Sequence, residues 1–183
     1  TAVGESVGFK IVATAKQSLE AAAARAEEQG VKALILGDDL TGESQQLAIS
    51  HAELVDQMLA EGQSIGAPCV LLSGGETTVK VRGNGIGGRN TEYLLSLAIA
   101  LEGKANVYAL AADTDGIDGS GDNAGAILSP KSWLKSDSLG LNAANMLKNN
   151  DSCRFFEALG DLIITGPTQT NVNDFRAILV IPG

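Results

Sequence analysis

Short, uninterrupted apolar runs alternate with amphipathic stretches through the first half of the chain. "VKALILG" (31–37), with five apolar residues in a short run, reads as a strand, and "PCVLLSGG" (68–75) as another, continuous and apolar as a buried parallel strand should be. Between them lies a helical stretch over roughly 43–62. Before them, "KQSLEAAAARAEEQG" (16–30) reads as an Ala/Glu-rich helix ending at Gly30, a C-cap position, and "VGFKIVA" (7–13) as a further strand. Strand–helix alternation of this kind predicts βαβ units and a right-handed parallel sheet.

The second half changes character. "TTVKVRG" (77–83) alternates apolar with polar residues and predicts a half-exposed strand, antiparallel to a neighbour. A helix over 91–102 and the apolar strand "VYALAA" (107–112) follow, and that strand runs into "DTDGIDGSGDNAGA", a loop of four aspartates and four glycines. Short helices are expected around 130–138, 141–148 and 152–159, then strands "DLIITG" (161–166) and "FRAILVIP" (175–182). The sum is an α/β fold: a mixed β-sheet with helices on both faces, Rossmann-like and three-layered. No internal repeat, low-complexity tract or heptad seam interrupts it.

Composition narrows the function. The 183 residues suit one domain, or one domain with an incomplete neighbour. With 44% apolar but only 4% aromatic residues, the core must be aliphatic. A net charge of −9 argues against nucleic acid, which needs a basic face, and leaves an anionic substrate only a locally positive pocket. Cys69 and Cys153 suggest buried small hydrophobes, not a disulfide. No signal peptide or membrane-length apolar run is present, so no membrane association and a cytoplasmic location are expected. The chain starts at Thr1 directly before a strand-like segment, as a piece of a longer protein would.

The glycine-rich stretch "VRGNGIGGRNTEYLLSLAIAL" (81–101) contains a literal G-x-G-x-x-G at Gly83, Gly85 and Gly88. A dinucleotide fold would put a buried first strand before it and an acidic residue about 20 positions on, near Glu102. The preceding "TVKVR" carries Lys80 and Arg82 alternating outward, which is wrong for a central first strand. Arg89 is more telling, because it stands at or just before a helix start, where free N–H groups and the helix dipole favour an anion. Gly87 and Gly88 allow close backbone approach, and a guanidinium matches phosphate geometry. Asn90 is a candidate N-cap, and Glu92 could orient Arg89 or bond back to the cap. The competing interpretation is a flexible turn with a surface arginine.

Four further stretches carry polar groups. "SGGETT" (73–78) puts Ser73, Gly74 and Gly75 at a strand's carboxyl end, with Glu76 beside them, either lining a ligand crevice or turning the chain. Asp113 and Asp115 follow an apolar strand, with Asp118 and Asp122 in the same loop; they either hold a hard cation such as Mg²⁺ or cap their own backbone in Asx-turns. "NND" (149–151) and "TGPTQTNVND" (165–174) supply more hydrogen-bonding groups, and the second stretch, which includes Thr168 and Asn171, either lines the same crevice or forms an ordinary polar hairpin. His51, the one histidine, reads as a satisfied or solvated helix residue, and without a second histidine triad and zinc chemistry are disfavoured.

"LLSGGETTVKVRGNGIGGRNTE", "AADTDGIDGSGDNAGAI" and "NNDSCRFFEALGDLIITGPTQTNVND", in that order, resemble the C-terminal part of the class II glycerate 2-kinases, the MOFRL family, whose members often carry a hydroxypyruvate reductase label. The resemblance runs from about 69 to 182. It divides the chain into 1–68, a strand–helix–strand segment continuous with a larger N-terminal glycerate kinase domain, and 69–183, the MOFRL domain. It implies ATP-dependent phosphorylation of D-glycerate to 2-phosphoglycerate, with Mg²⁺, in a cleft between two α/β domains. Carried over to this sequence, Arg89 is the catalytic arginine meeting phosphate or the glycerate carboxylate. Ser73, Gly74, Gly75, Glu76, Gly87, Gly88, Asn90, Glu92, Thr168 and Asn171 are expected to bind substrate or phosphate, and Asp113 and Asp115 the metal. The family's proposed catalytic lysine belongs to the N-terminal domain and has no counterpart here, so this portion is expected to be inactive alone. Cys153 stands where tyrosine is common, and Gln169 where glycine is. The alternatives are an NAD(P)H-dependent hydroxypyruvate reductase binding at Gly83–Gly88, and a non-catalytic module whose aliphatic surface pairs with itself, as in a homo-oligomer.

Overall fold

A computed structural model describes residues 13–60 and 68–181. The strand expected at 7–13 lies, apart from Ala13, outside the described residues. In chain order the elements are α1 (Ala15–Glu28), β1 (Lys32–Leu40), α2 (Ser44–Ala60), β2 (Cys69–Gly75), α3 (Arg89–Leu101), β3 (Val107–Asp113), β4 (Gly125–Leu128), α4 (Pro130–Ser138), α5 (Ala143–Lys148), α6 (Ser152–Leu159), β5 (Leu162–Ile163) and β6 (Asp174–Val180). The strands form one mixed sheet in the order β1-β2-β6-β3-β4-β5. β1 and β2 pair in parallel through the α2 crossover, whereas β6 inserts antiparallel between β2 and β3.

Alternation along the strands sorts the core into two layers. Leu71 of β2, Ala109 and Ala111 of β3, and Ile178 and Val180 of β6 face α2, α3, α5 and α6. Val70 and Leu72 of β2 and Phe175, Ala177 and Leu179 of β6 face the other way, onto Leu19 of α1. Helices therefore cover both faces, giving three layers. α3 is the central helix: Tyr93, Leu94, Leu95, Leu97, Ala98 and Leu101 are all buried, because sheet and helices enclose it from several sides. Burying a leucine of this kind contributes about 1.5–3 kcal/mol.

Two expectations fail. Residues 77–83 form no strand, and Thr78 makes only an isolated parallel bridge to Glu43. The segment's backbone is bonded instead by side chains of 149–151: Asn150 Oδ1 accepts from the N–H groups of Arg82 (2.7 Å) and Gly83 (3.0 Å), and Asp151 Oδ1 from Ile86 (2.8 Å). A segment held extended by side chains shows a strand-like pattern without a ladder. Conversely, β4 arises where only loop was expected, because Gly125 lets Ala112 pair closely: a Cβ there would lie 1.9 Å from the Ala111 carbonyl oxygen.

Candidate active site around Arg89

Period-two alternation places the site. In β6 the buried phase runs Asp174, Arg176, Ile178, Val180, and in β3 it runs Val107, Ala109, Ala111, Asp113. Asp113 and Asp174 are direct partners across the β3–β6 ladder, on the face covered by α3. Two carboxylates side by side repel. The first residue of α3, Arg89, sits over both: its Nε donates to Asp174 Oδ1 (2.8 Å) and its Nη2 to Asp113 Oδ2 (2.6 Å). Its Nη1 donates to Glu76 Oε1 (3.1 Å).

The three carboxylates are not equivalent. Asp113 and Asp174 are buried, whereas the Glu76 side chain is 59% exposed. Arg89 and Glu76 line an open cleft of about 620 Å³, together with Thr77, Val79, Val81, Glu92, Ser120 and Asn150 and with Gly85, Gly87 and Gly88. Burial alone would lower the Arg89 pKa, but the Asp174 hydrogen bond and the charges of Asp174, Asp113 and Glu76 outweigh it and raise it. Asp113 is pushed up to about 6, first by burial and then by the charges of Asp115 and Asp174, against the opposing Asp115 N–H bond and Arg89 charge.

The helix start is arranged differently from the sequence expectation. The N-cap is Gly88, not Asn90, and Thr91 Oγ1 accepts from the Gly88 N–H (3.0 Å). The amides that could have held a phosphate hold Asp118: its carboxylate accepts from Asn90 N (2.9 Å) and Thr91 N (2.8 Å) and from both their side chains. Asp118 was legible only as a member of the aspartate loop, yet it is the anion that the helix dipole attracts. The glycines serve that contact. A Cβ at Gly88 would lie 2.4 Å from Asp118, and one at Gly85 2.5 Å from Asp151 Cβ. The G-x-G-x-x-G therefore lets three segments of this chain approach one another, and the amides a dinucleotide would need are already occupied.

Several other expected site residues do other work. Ser73, Gly74 and Gly75 lie within β2, all three paired with β6 and Ser73 and Gly75 also with β1, so they belong to the sheet and not to the cleft lining. Gly75, at φ +115°, is where β2 meets Leu40: a Cβ would lie 2.2 Å from the Leu40 oxygen. Glu92 neither orients Arg89 nor closes the cap; its buried carboxylate accepts from Gln45 Nε2 (2.8 Å) and Asn150 Nδ2 (2.9 Å) at the cleft wall. Thr168 and Asn171 sit apart from the cleft and tie down the aspartate loop, through Thr168 N to Asp115 O (3.0 Å) and Asn171 Nδ2 to Asp115 Oδ2 (3.5 Å).

Asp113 and Asp115 do not fit a Mg²⁺ seat as they stand. Asp113 gives one oxygen to Arg89 and the other to the Asp115 N–H (3.1 Å), and Asp115 Oδ1 accepts from the Ile117 N–H (2.8 Å). These are the Asx-turns of the competing interpretation. Among the described residues no group of three or more His, Cys, Asp or Glu gathers to hold a metal ion.

The residues that sequence reasoning missed are Asp174, Arg176 and the capping role of Asp118. The phase of Ile178 and Val180, extended backward, would have marked Arg176 and Asp174 as buried. Of the two departures noted in the sequence, Cys153 is buried and its Sγ lies 3.2 Å from Asn123 Oδ1, while Gln169 adopts φ +61°, a left-handed backbone that favours glycine. No described helix is long and apolar enough to cross a membrane.

Comparison with known proteins agrees with this architecture. Over 97% of its length the chain is 47% identical to a provisionally named hydroxypyruvate reductase from Agrobacterium vitis, and over 96% it is 38% identical to a D-glycerate 2-kinase from Thermotoga maritima. The crystal structure of a Thermotoga maritima glycerate kinase superposes with a TM-score of 0.86 and 39% identity, covering 92% of this chain and 40% of that one. The chain spans 41% and 42% of the length of these two sequence relatives. Residues 69–174 match the MOFRL family, and with more than half the chain matched, the protein belongs to that family.

Proposed function

We propose that this chain is the C-terminal part of an ATP-dependent glycerate 2-kinase. In this reading 69–183 form the MOFRL domain, 1–68 lead into a larger N-terminal domain, and Arg89 binds an anionic oxygen of D-glycerate or of the phosphoryl group in transfer. The observation that carries it is the asymmetric hold on Arg89. Buried Asp174 and Asp113 fix two edges of the guanidinium, while its third edge, Nη1, meets the exposed Glu76 at the cleft. Exposed ion pairs contribute little, about 0–1 kcal/mol, so an incoming anion can replace Glu76 without unseating Arg89. Phosphoryl transfer asks the protein chiefly for positioning and charge stabilisation, which a fixed guanidinium supplies. Mg²⁺ would come with the nucleotide phosphates and not from a cage built by Asp113 and Asp115.

The name of the Agrobacterium vitis relative favours a second reading, NAD(P)H-dependent reduction of hydroxypyruvate. It is disfavoured because the amides at the start of α3 are bonded to Asp118 and the glycines pack against Asp118 and Asp151. In the full-length protein, Arg89→Ala should lose roughly 2–4 kcal/mol of transition-state stabilisation in a coupled glycerate kinase assay. Unchanged kcat/KM would remove Arg89 from the mechanism. Nucleotide titration, ATP against NADH, separates the kinase from the reductase.

A further inference from the structure

Arg176 lies two residues beyond Asp174 on the same face of β6, with 1% of its surface exposed. Its Nη2 donates to Asp174 Oδ2 (2.5 Å) and to Thr77 Oγ1 (3.2 Å), and its guanidinium stands 5.4 Å over the ring of Tyr93. Tyr93 is in turn bonded through its hydroxyl to His51 Nδ1 (2.7 Å). Nε and Nη1 of Arg176 have no hydrogen-bond partner among the described residues.

This is a costly way to fill space. A buried ion pair is often replaceable by apolar residues of similar volume with no loss of stability. What an apolar residue could not do is balance charge. Arg89 itself meets Asp113 from β3, Asp174 from β6 and Glu76 after β2. Without Arg176, one guanidinium would face that whole set. With it, Asp174 is shared: Oδ2 goes to Arg176, and Oδ1 is left for Arg89 Nε and Asn90 Nδ2 (both 2.8 Å).

We propose that Arg176 is a positioning residue for the cleft: its buried charge balances Asp174 beneath Arg89 and so leaves the Nη1 edge of Arg89 free to exchange Glu76 for an anionic substrate. The inference rests on the glycerate kinase reading of the cleft. It predicts a defect in anion binding, largest where the carboxylates are all charged, and not a general loss of fold.

The test uses the full-length enzyme with Arg176→Met, Arg176→Lys, Asp174→Asn and the Asp174→Asn/Arg176→Met pair. Arg176→Met should raise the KM for glycerate roughly tenfold at about pH 8 and less at about pH 6, where protonation relieves the carboxylate excess, with kcat changed less than KM. Arg176→Lys should recover most of the loss. The double variant should be no worse than Arg176→Met alone, because it removes one charge of each sign. Arg176→Met with a lowered melting temperature but unchanged KM, or additive losses in the double variant, would overturn the proposal. A wild-type enzyme that phosphorylates no glycerate would sink the functional reading instead. The inference is then read without turnover, from the Arg89 Nε–H resonance of the full-length chain labelled with ¹⁵N-arginine: a shifted resonance in Arg176→Met, as the whole Asp174 charge falls on Arg89, supports it, and an unmoved resonance refutes it.

Discussion

Arg89 carries more negative charge around it than one guanidinium neutralises, and Asp113 absorbs the excess. Its carboxyl, raised from the ordinary 3.8 to about 6, is protonated in the folded protein at pH values where an unfolded aspartate is already ionised. The folded state then binds the extra proton, so this group's contribution is fully present below about pH 4 and lost as pH rises through about 6. Asp113→Asn removes the titration while keeping an oxygen for Arg89 Nη2. Urea unfolding of the full-length protein across pH 4–7 should show the wild type losing up to about 2–3 kcal/mol relative to Asp113→Asn on the way up. A constant difference across that range would show that Asp113 titrates normally.

Helix α3 owes its register to a carboxylate from another segment. Asp118 satisfies the N–H groups of Asn90 and Thr91, and also the Thr91 hydroxyl and the Asn90 amide, all of them buried. A buried donor left without an acceptor costs about 1–3 kcal/mol. Asp118→Ala should therefore destabilise the protein by roughly 2–4 kcal/mol in chemical denaturation, and Asp118→Asn by less, since one oxygen remains. A loss below about 0.5 kcal/mol for the alanine variant would mean that water replaces the cap. Because α3 carries Arg89 at its first position, the cap also orients the guanidinium. Activity of Asp118→Ala should fall with Arg89 still present.

The sheet carries helices on both faces, and among the described residues the Arg89 cleft is open to solvent. The chain's relatives are more than twice as long. If the proposed N-terminal domain supplies another wall, the isolated 183-residue chain should show no glycerate-dependent ATP turnover in a coupled assay even where the full-length enzyme is active. Turnover by the isolated chain would refute that dependence. The −9 net charge adds a reason for the local arrangement: an anionic substrate approaching a negative molecule needs a fixed cation at the site, and salt should weaken its recruitment only modestly if the attraction is short-ranged.

The element list was largely readable from the residues, because burial on a helix or strand leaves a period of 3.6 or 2 in the local pattern. α1, α2, α3 and the three short helices fall within a few residues of expectation, as do β1, β2, β3 and β6. Where local pattern and pairing diverged, at 77–83 and at β4, side chains of 149–151 and a close approach at Gly125 decided the outcome. The site was half legible. Arg89 and Glu76 stood out by chemistry, but the expected phosphate seat at the helix start is filled by Asp118, and the expected metal aspartates are occupied by Arg89 and by their own loop. A residue's own surroundings are written in its near neighbours along the chain. Which groups meet across 85 positions, as Arg89 and Asp174 do, depends on β6 entering the sheet between β2 and β3, and no local period records that choice.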